Sequence, residues 1–210
     1  FVLCSIINVM NPINHNVRRG RPITRNREHI LETAMNAYWQ DDLATTSVNA
    51  ICSFANVSKP SLYREFGSED GLTVAVLERY ASQVFMRIGD LLMSDASFAN
   101  KLDELIKIAS EDPQMETGCL FIKMRAERSR FGVQTQAKLA DIETQALKLY
   151  VRFFKSSHER GEWSANIPAK LAATYLLEQF GLAVTQRAKG RNKDSIRELL
   201  TLSLSPLKIV

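Results

Sequence analysis

From residue 25 to residue 40 the apolar positions Ile30, Leu31, Ala34, Ala37 and Tyr38 recur three and four apart. That period predicts an amphipathic first helix, with Thr24 as its N-cap and the polar run 40–42 as its end. Ser47 is placed to cap a second helix carrying Val48, Ile51, Cys52 and Ala55. Asn56, Val57 and Ser58 then form a tight turn, since Asn tolerates the left-handed backbone that such a turn needs. Ser58 caps a short third helix with Pro60 in its first turn, and this helix stops near Gly67. Ser68 caps a fourth, with Glu69 and Asp70 against its positive end, and the pattern runs for about six turns to near Met93.

The second half also reads as helices throughout. Leu102, Leu105, Ile106 and Ala109 make one face; Pro113 and Gly118 bracket an interruption; CLFIKMRAERSR continues as a helix. Leu139, Ile142, Ala146, Leu149, Tyr150 and Phe153 define a long amphipathic helix over 134–157, which Gly161 ends. Over 169–187 the chain is apolar most of the way round, as a helix covered on more than one side must be. Ile196, Leu199, Leu200, Leu202 and Leu204 give the last helix a similar character. The fold class expected is all-α.

A helix, a tight turn and a short second helix with one polar face make a helix-turn-helix. Val57, Leu62 and Phe66 are expected to face the first two helices. Lys59, Pro60, Ser61, Tyr63 and Arg64 are left outside, where they can meet phosphates and base edges. Of the 210 residues 45% are hydrophobic and 24% charged, which fits a globular chain with a sizeable core. The net charge of +4 says little by itself. Its distribution says more, because Arg18, Arg19, Arg21, Arg25 and Arg27 follow one another with no acidic residue between them. The three cysteines show no metal-ligand spacing, and a reduced, cytoplasmic setting is expected. The first nine residues are apolar but too short to span a bilayer and lack the flanks of a signal peptide, so no membrane role is expected.

TTSVNAICSFANVSKPSLYREFGSEDGLTVAVLERY resembles the DNA-binding domain of the tetracycline-repressor (TetR) family. Ser47, Val48, Ile51, Val57, Ser58, Leu62, Tyr63, Phe66 and Ser68 carry the likeness, which covers about residues 25–80. Three positions depart from the pattern. Asn56 replaces the usual turn glycine, Glu65 stands where His or Tyr is common, and Glu69 where a phosphate-binding Lys often stands, leaving more to the backbone amide there. The resemblance implies a basic N-terminal arm (1–23), a DNA-binding domain (24–70) and an effector-binding and dimerisation domain (71–210). The DNA-contacting residues implied are Ser47, Asn49, Ser58, Lys59, Pro60, Ser61, Tyr63, Arg64 and Ser68. Arg19 and Arg21 join them if the RRGRP stretch enters the minor groove rather than forming a diffuse basic tail. The last two helices would pair with a second copy through Tyr175, Leu176, Phe180, Val184, Leu199 and Leu202. An unidentified small-molecule effector would lie among Phe121, Met124, Phe131, Tyr150, Phe154, Trp163 and Phe180, although aromatics at helical spacing also serve as plain core. Lys123, Arg125, Arg128 and Arg130 crowd one helix, as an attraction for an anionic effector or as a solvated face.

The implied function is a homodimeric regulator, a repressor released by its ligand, on a (pseudo)palindromic double-stranded operator. The fourth helix, as the only element joining the two domains, is the expected lever. Two alternatives are a recombinase-type enzyme and an architectural DNA protein without an effector. The enzyme would need clustered carboxylates or an activated nucleophile. Asp103, Glu104, Glu111, Asp112, Asp141 and Glu143 read instead as solvent faces, and His15, His29 and His158 have no evident partner. No catalytic residue, metal site or cofactor is expected.

Overall fold

Side-chain caps decide where the helices of the first half begin. The structure, a computed structural model, describes residues 23–40, 43, 46–164 and 167–208. After α1 (Ile23–Gln40), Ser47 accepts from the Ala50 amide at 3.2 Å and opens α2 (Val48–Phe54). Ser58 accepts from Ser61 at 3.3 Å and opens α3 (Lys59–Phe66); Ser68 accepts from Gly71 at 3.0 Å and opens α4 (Glu69–Met93). Each cap satisfies an amide that the helix itself leaves free. The turn between α2 and α3 puts Asn56 in the left-handed region at φ 52°. α1 starts at Ile23, so Thr24 lies inside its first turn and is not its cap.

The remaining helices are α5 (Phe98–Glu111), α6 (Leu120–Ala126), α7 (Val133–Glu159), α8 (Ala169–Ala188) and α9 (Lys193–Leu204). Short 3-10 turns follow α5, α6 and α9, and among the described residues there is no strand. CLFIKMRAERSR is therefore not one helix. It breaks at Glu127, beyond which Arg128, Ser129 and Arg130 are exposed and offer no apolar side chain to hold another α turn on the core. No described helix is long and apolar enough to cross a membrane.

Two apolar clusters organise the molecule, and α4 runs through both. The first gathers Ile30, Ile51, Leu62, Leu72 and Val76 from α1 to α4 and is closed by Leu120, Met124, Leu139 and Ile142 of α6 and α7. The second packs Ile88 and Leu92 of α4 against Leu102, Phe153, Leu176, Ile196 and Leu200. The carboxylates of the second half form ion pairs at the rim of these helices. Asp103 pairs with Lys208, Glu111 with Arg197, Asp112 with Arg87 and Glu143 with Arg125.

The step from α3 into α4 is tight. Gly67 turns it at φ 77°, and a β-carbon on Gly71 would overlap the carbonyl oxygen of Phe66. Gly71→Ala is expected to destabilise the protein by about 2 kcal/mol, lowering Tm by roughly 5 °C, because backbone must shift to admit the methyl group. Thermal unfolding followed by circular dichroism checks this. An unchanged Tm would show that the turn yields freely.

Candidate nucleic-acid interface and a neighbouring cavity

Leu62, fully buried, anchors α3 on the first cluster, and Val57, Tyr63 and Phe66 pack against the same cluster half-buried. The expectation that Tyr63 stands clear of the protein is corrected: part of its ring supports the helix. Ser58, Lys59, Pro60 and Arg64 are exposed, as are Ser47 and Asn49 at the start of α2 and Ser68 before α4. Ser61 is half-buried, and its hydroxyl accepts from Arg64 at 3.1 Å and from Asn26 of α1 at 3.4 Å. These bonds tie the guanidinium of Arg64 and the start of α1 to the middle of α3. Arg27 lies over the Phe66 ring, 4.9 Å from its centroid, which holds another exposed cation beside the helix. Capped amide termini, hydroxyls and mobile cations on one rigid helix suit phosphate oxygens and base edges. Arg19 and Arg21 lie outside the described residues.

Behind this domain is a cavity of about 480 Å³, walled by α4, α6, α7 and α8 and the turn after α5. Phe121, Tyr150 and Phe180 line it; Met124, Phe131, Phe154 and Trp163 do not. Met124 is fully buried in the first cluster, and Phe131 packs against that cluster from outside. Phe154 follows Tyr150 one turn along α7, where α5 fills the space. There it meets Trp163 at 4.8 Å between ring centroids and Phe98 at 5.7 Å. Trp39, at the last turn of α1, lines the cavity and was not among the residues expected there. Its ring stands edge-on to Tyr80 at 5.2 Å.

Residues 30–76 match the family profile of bacterial regulatory proteins, tetR family. The HTH-type transcriptional repressor ComR of Escherichia coli (strain K12) is 39% identical over 62 residues, which is 30% of this chain and 30% of ComR. The chain thus matches less than a third of that relative's length. The whole fold is similar to the reduced form of E. coli NemR, with a TM-score of 0.78 and 20% identity over 88% of this chain and 98% of that one. It is also similar to a cysteine mutant of the TetR family regulator CifR solved with a 26-base-pair double-strand operator DNA, with a TM-score of 0.67 and 20% identity over 84% of this chain and 94% of CifR. Residues 30–76 thus belong to the DNA-binding domain of the tetR family, and the fold of the rest is similar to TetR-family structures.

Among the described residues, α4 is one of several links between this tetR-family domain and the rest. The Trp39 indole N–H donates to the Gly118 carbonyl at 2.7 Å, and the Lys123 ammonium donates to the Trp39 carbonyl at 2.7 Å. α1 is therefore bound at its C-terminus to the cavity wall, which satisfies one of its terminal carbonyls. A second joint follows α3. Asp70 accepts from the Gln134 amide at 2.9 Å and the Thr135 amide at 3.0 Å, and Thr135 also donates its hydroxyl to the carboxylate. A residue in the first turn of α4 thereby caps α7. A β-carbon on Gly132 would collide with that carboxylate.

Four of the residues expected at a dimer contact face inward. Leu176 and Val184 are fully buried in their own subunit, where α8 crosses α5 and α9, and so are not free to meet a partner. Tyr175 is half-buried and donates to the Ser203 carbonyl of α9 at 2.6 Å, while Phe180 turns to the cavity. Leu199 is half-buried and Leu202 is 73% exposed. Leu171 and Leu182 are the exposed leucines of α8.

Burial of Asp70 opposes its ionisation, but the Thr135 hydroxyl and the amides of Gln134 and Thr135 outweigh it and hold the carboxyl below its ordinary range. A depressed folded pKa contributes stability above the unfolded value that is lost as pH falls through the folded one. Asp70→Ala is expected to cost about 1–2 kcal/mol at neutral pH, as the loss of the cap on the Gln134 and Thr135 amides. The gap from wild type should close as pH falls below ~4. Urea unfolding at several pH values checks this; a gap independent of pH would remove the carboxylate's charge from the account.

Proposed function

We propose that the protein is a homodimeric transcriptional repressor that binds a (pseudo)palindromic operator and leaves it when a small molecule enters the cavity. The observation that carries this reading is the exposed face of α3, where Lys59, Pro60 and Arg64 stand on a helix locked by Leu62 and by two serine caps. Support comes from the family, from the repressor ComR, and from the operator complex of CifR. Residues 24–70 read the DNA, with the 1–23 arm adding charge, and 71–210 bind the effector and the second copy. Each α3 enters a major groove, and the two must lie about 34–36 Å apart to reach successive grooves. A ligand that fits better when that spacing differs lowers DNA affinity by its differential affinity for the two forms. Acting on DNA, the protein works in the cytoplasm.

Selection from a random DNA pool is expected to return one symmetric site. Lys59→Ala should weaken binding to it several-fold and lower the slope of log K on log salt by about one, as loss of a phosphate contact does. Recovery of no preferred sequence would overturn the reading.

The second copy is expected on the exposed leucines rather than on the buried ones. Leu202→Glu should give a folded monomer by light scattering, whereas Leu176→Glu should unfold the chain, because it buries an unpaired charge. A dimer that survives Leu202→Glu together with Leu171→Glu would move the interface elsewhere.

A further inference from the structure

Resting on that effector-controlled reading, the wall of the cavity constrains what can enter it. Most of the lining is apolar, from Val84 and Ile88 of α4 to Ile122 of α6, Leu147 of α7 and Leu177 of α8. Two guanidiniums face the space, and both are already matched. Arg125 lies 2.9 Å from Glu143 and 3.8 Å from Glu178, and Arg87 lies 2.5 Å from Asp112. An anionic guest would have to share Arg125 or Arg87 with the carboxylate that guanidinium already holds, and so lie close to that acid. A cationic guest would displace the guanidinium itself. Arg87 is 50% exposed, Arg125 32% and Glu143 51%, so either exchange swaps one solvent-screened pair for another, and a charge on the guest adds little to set against its own desolvation in an apolar cavity. Lys123, the next cation of α6, has its ammonium on the Trp39 carbonyl. Neutral polar groups remain for recognition: the exposed side-chain amides of Gln83 and Gln114, each able to donate and to accept, and the Tyr150 hydroxyl. At the α1 end the wall is aromatic, with Trp39 edge-on to Tyr80 and Phe121 and Phe180 nearby in the lining.

We propose that this cavity takes an uncharged, largely apolar, ring-bearing molecule with a hydrogen-bonding group for Gln83 or Gln114, and that the ring lies against Trp39. Its volume of about 480 Å³ is within the range of small-molecule sites. Among the lining residues Trp39 is the contribution of α1 to α3, so a guest in this position touches the helix-turn-helix directly.

The test uses two probes with one ring skeleton, uncharged N-phenyl-1-naphthylamine and anionic 1-anilinonaphthalene-8-sulfonate. The chain has two tryptophans, so Trp163→Phe leaves Trp39 as the sole donor for energy transfer to a bound naphthyl ring. The expected result is transfer from Trp39 to the uncharged probe and binding of the sulfonate about tenfold weaker or worse. Gly181→Leu, which projects a side chain from α8 beside Ile122, should lower the affinity of the uncharged probe at least as much. Ala146→Leu on α7 reads the same space should the first variant fail to fold. Equal affinity for the sulfonate would overturn the proposal, as would binding unaffected by either cavity-filling variant. DNA binding is measured separately on the same protein. Its absence with normal probe binding would sink the regulator reading alone, and the reverse result would sink only the present proposal.

Discussion

The bond between the Asp70 carboxylate and the start of α7 sets the posture of α3. α3 has only eight residues and one fully buried side chain, too little to hold a fixed direction by itself. Its direction comes from α4, which begins after only two intervening residues, and α4 is held at that end by Asp70 on the amides of Gln134 and Thr135. Gly132 lacks a β-carbon where one would collide with the carboxylate. Thr73 of α4 and Thr135 of α7 share a buried hydroxyl contact beside it. Shift α7 and the amides of Gln134 and Thr135 pull on Asp70, in the first turn after α3. Trp39 and Lys123 fasten α1 to α6 in the same way. The DNA-facing domain is thus clamped at two points to the helices that wall the cavity, and α4 is one route among three.

What the sequence made legible was local. Serine caps, the Asn56 turn and the three-to-four spacing of apolar residues depend on neighbours a few positions away, and the helices begin and end close to where those signals lie. The break at Glu127 was missed because basic residues continue a helix well in isolation, and only the absence of a surface beneath them stops it. The aromatic set divided for a similar reason. Tyr150 and Phe154 share a face of α7, but whether that face meets a cavity or the rings of Phe98 and Trp163 depends on where α5 ends. Leu176 and Leu202 look alike in an apolar run, and only the crossing of α8 with α5 and α9 separates buried from exposed. Trp39 is a large ring on the last turn of the first helix, and only its bond to the Gly118 carbonyl, far along the chain, shows what it packs against.

The charges sort in the same manner. Acidic residues of the second half are spent on ion pairs between helices, and the arginines of the cavity wall are matched by carboxylates. Cations at the protein's edges are therefore what a polyanion meets, and two groups of them lie on helical faces broad enough to compare. One is Lys59, Arg64 and Arg27 around α3; the other is Lys148, Arg152, Lys155 and Lys170 along the groove between α7 and α8. Geometry favours the first, because a short capped helix that projects from its support can enter a major groove, whereas the groove of α7 and α8 is a broad surface.

Hydrogen exchange on the full-length protein, free and bound to its selected DNA, tests this choice most directly. Slowing is expected to concentrate in residues 47–68, with the amides around 148–170 unchanged. Protection along α7 and the start of α8, with α3 exchanging as in the free protein, would contradict it.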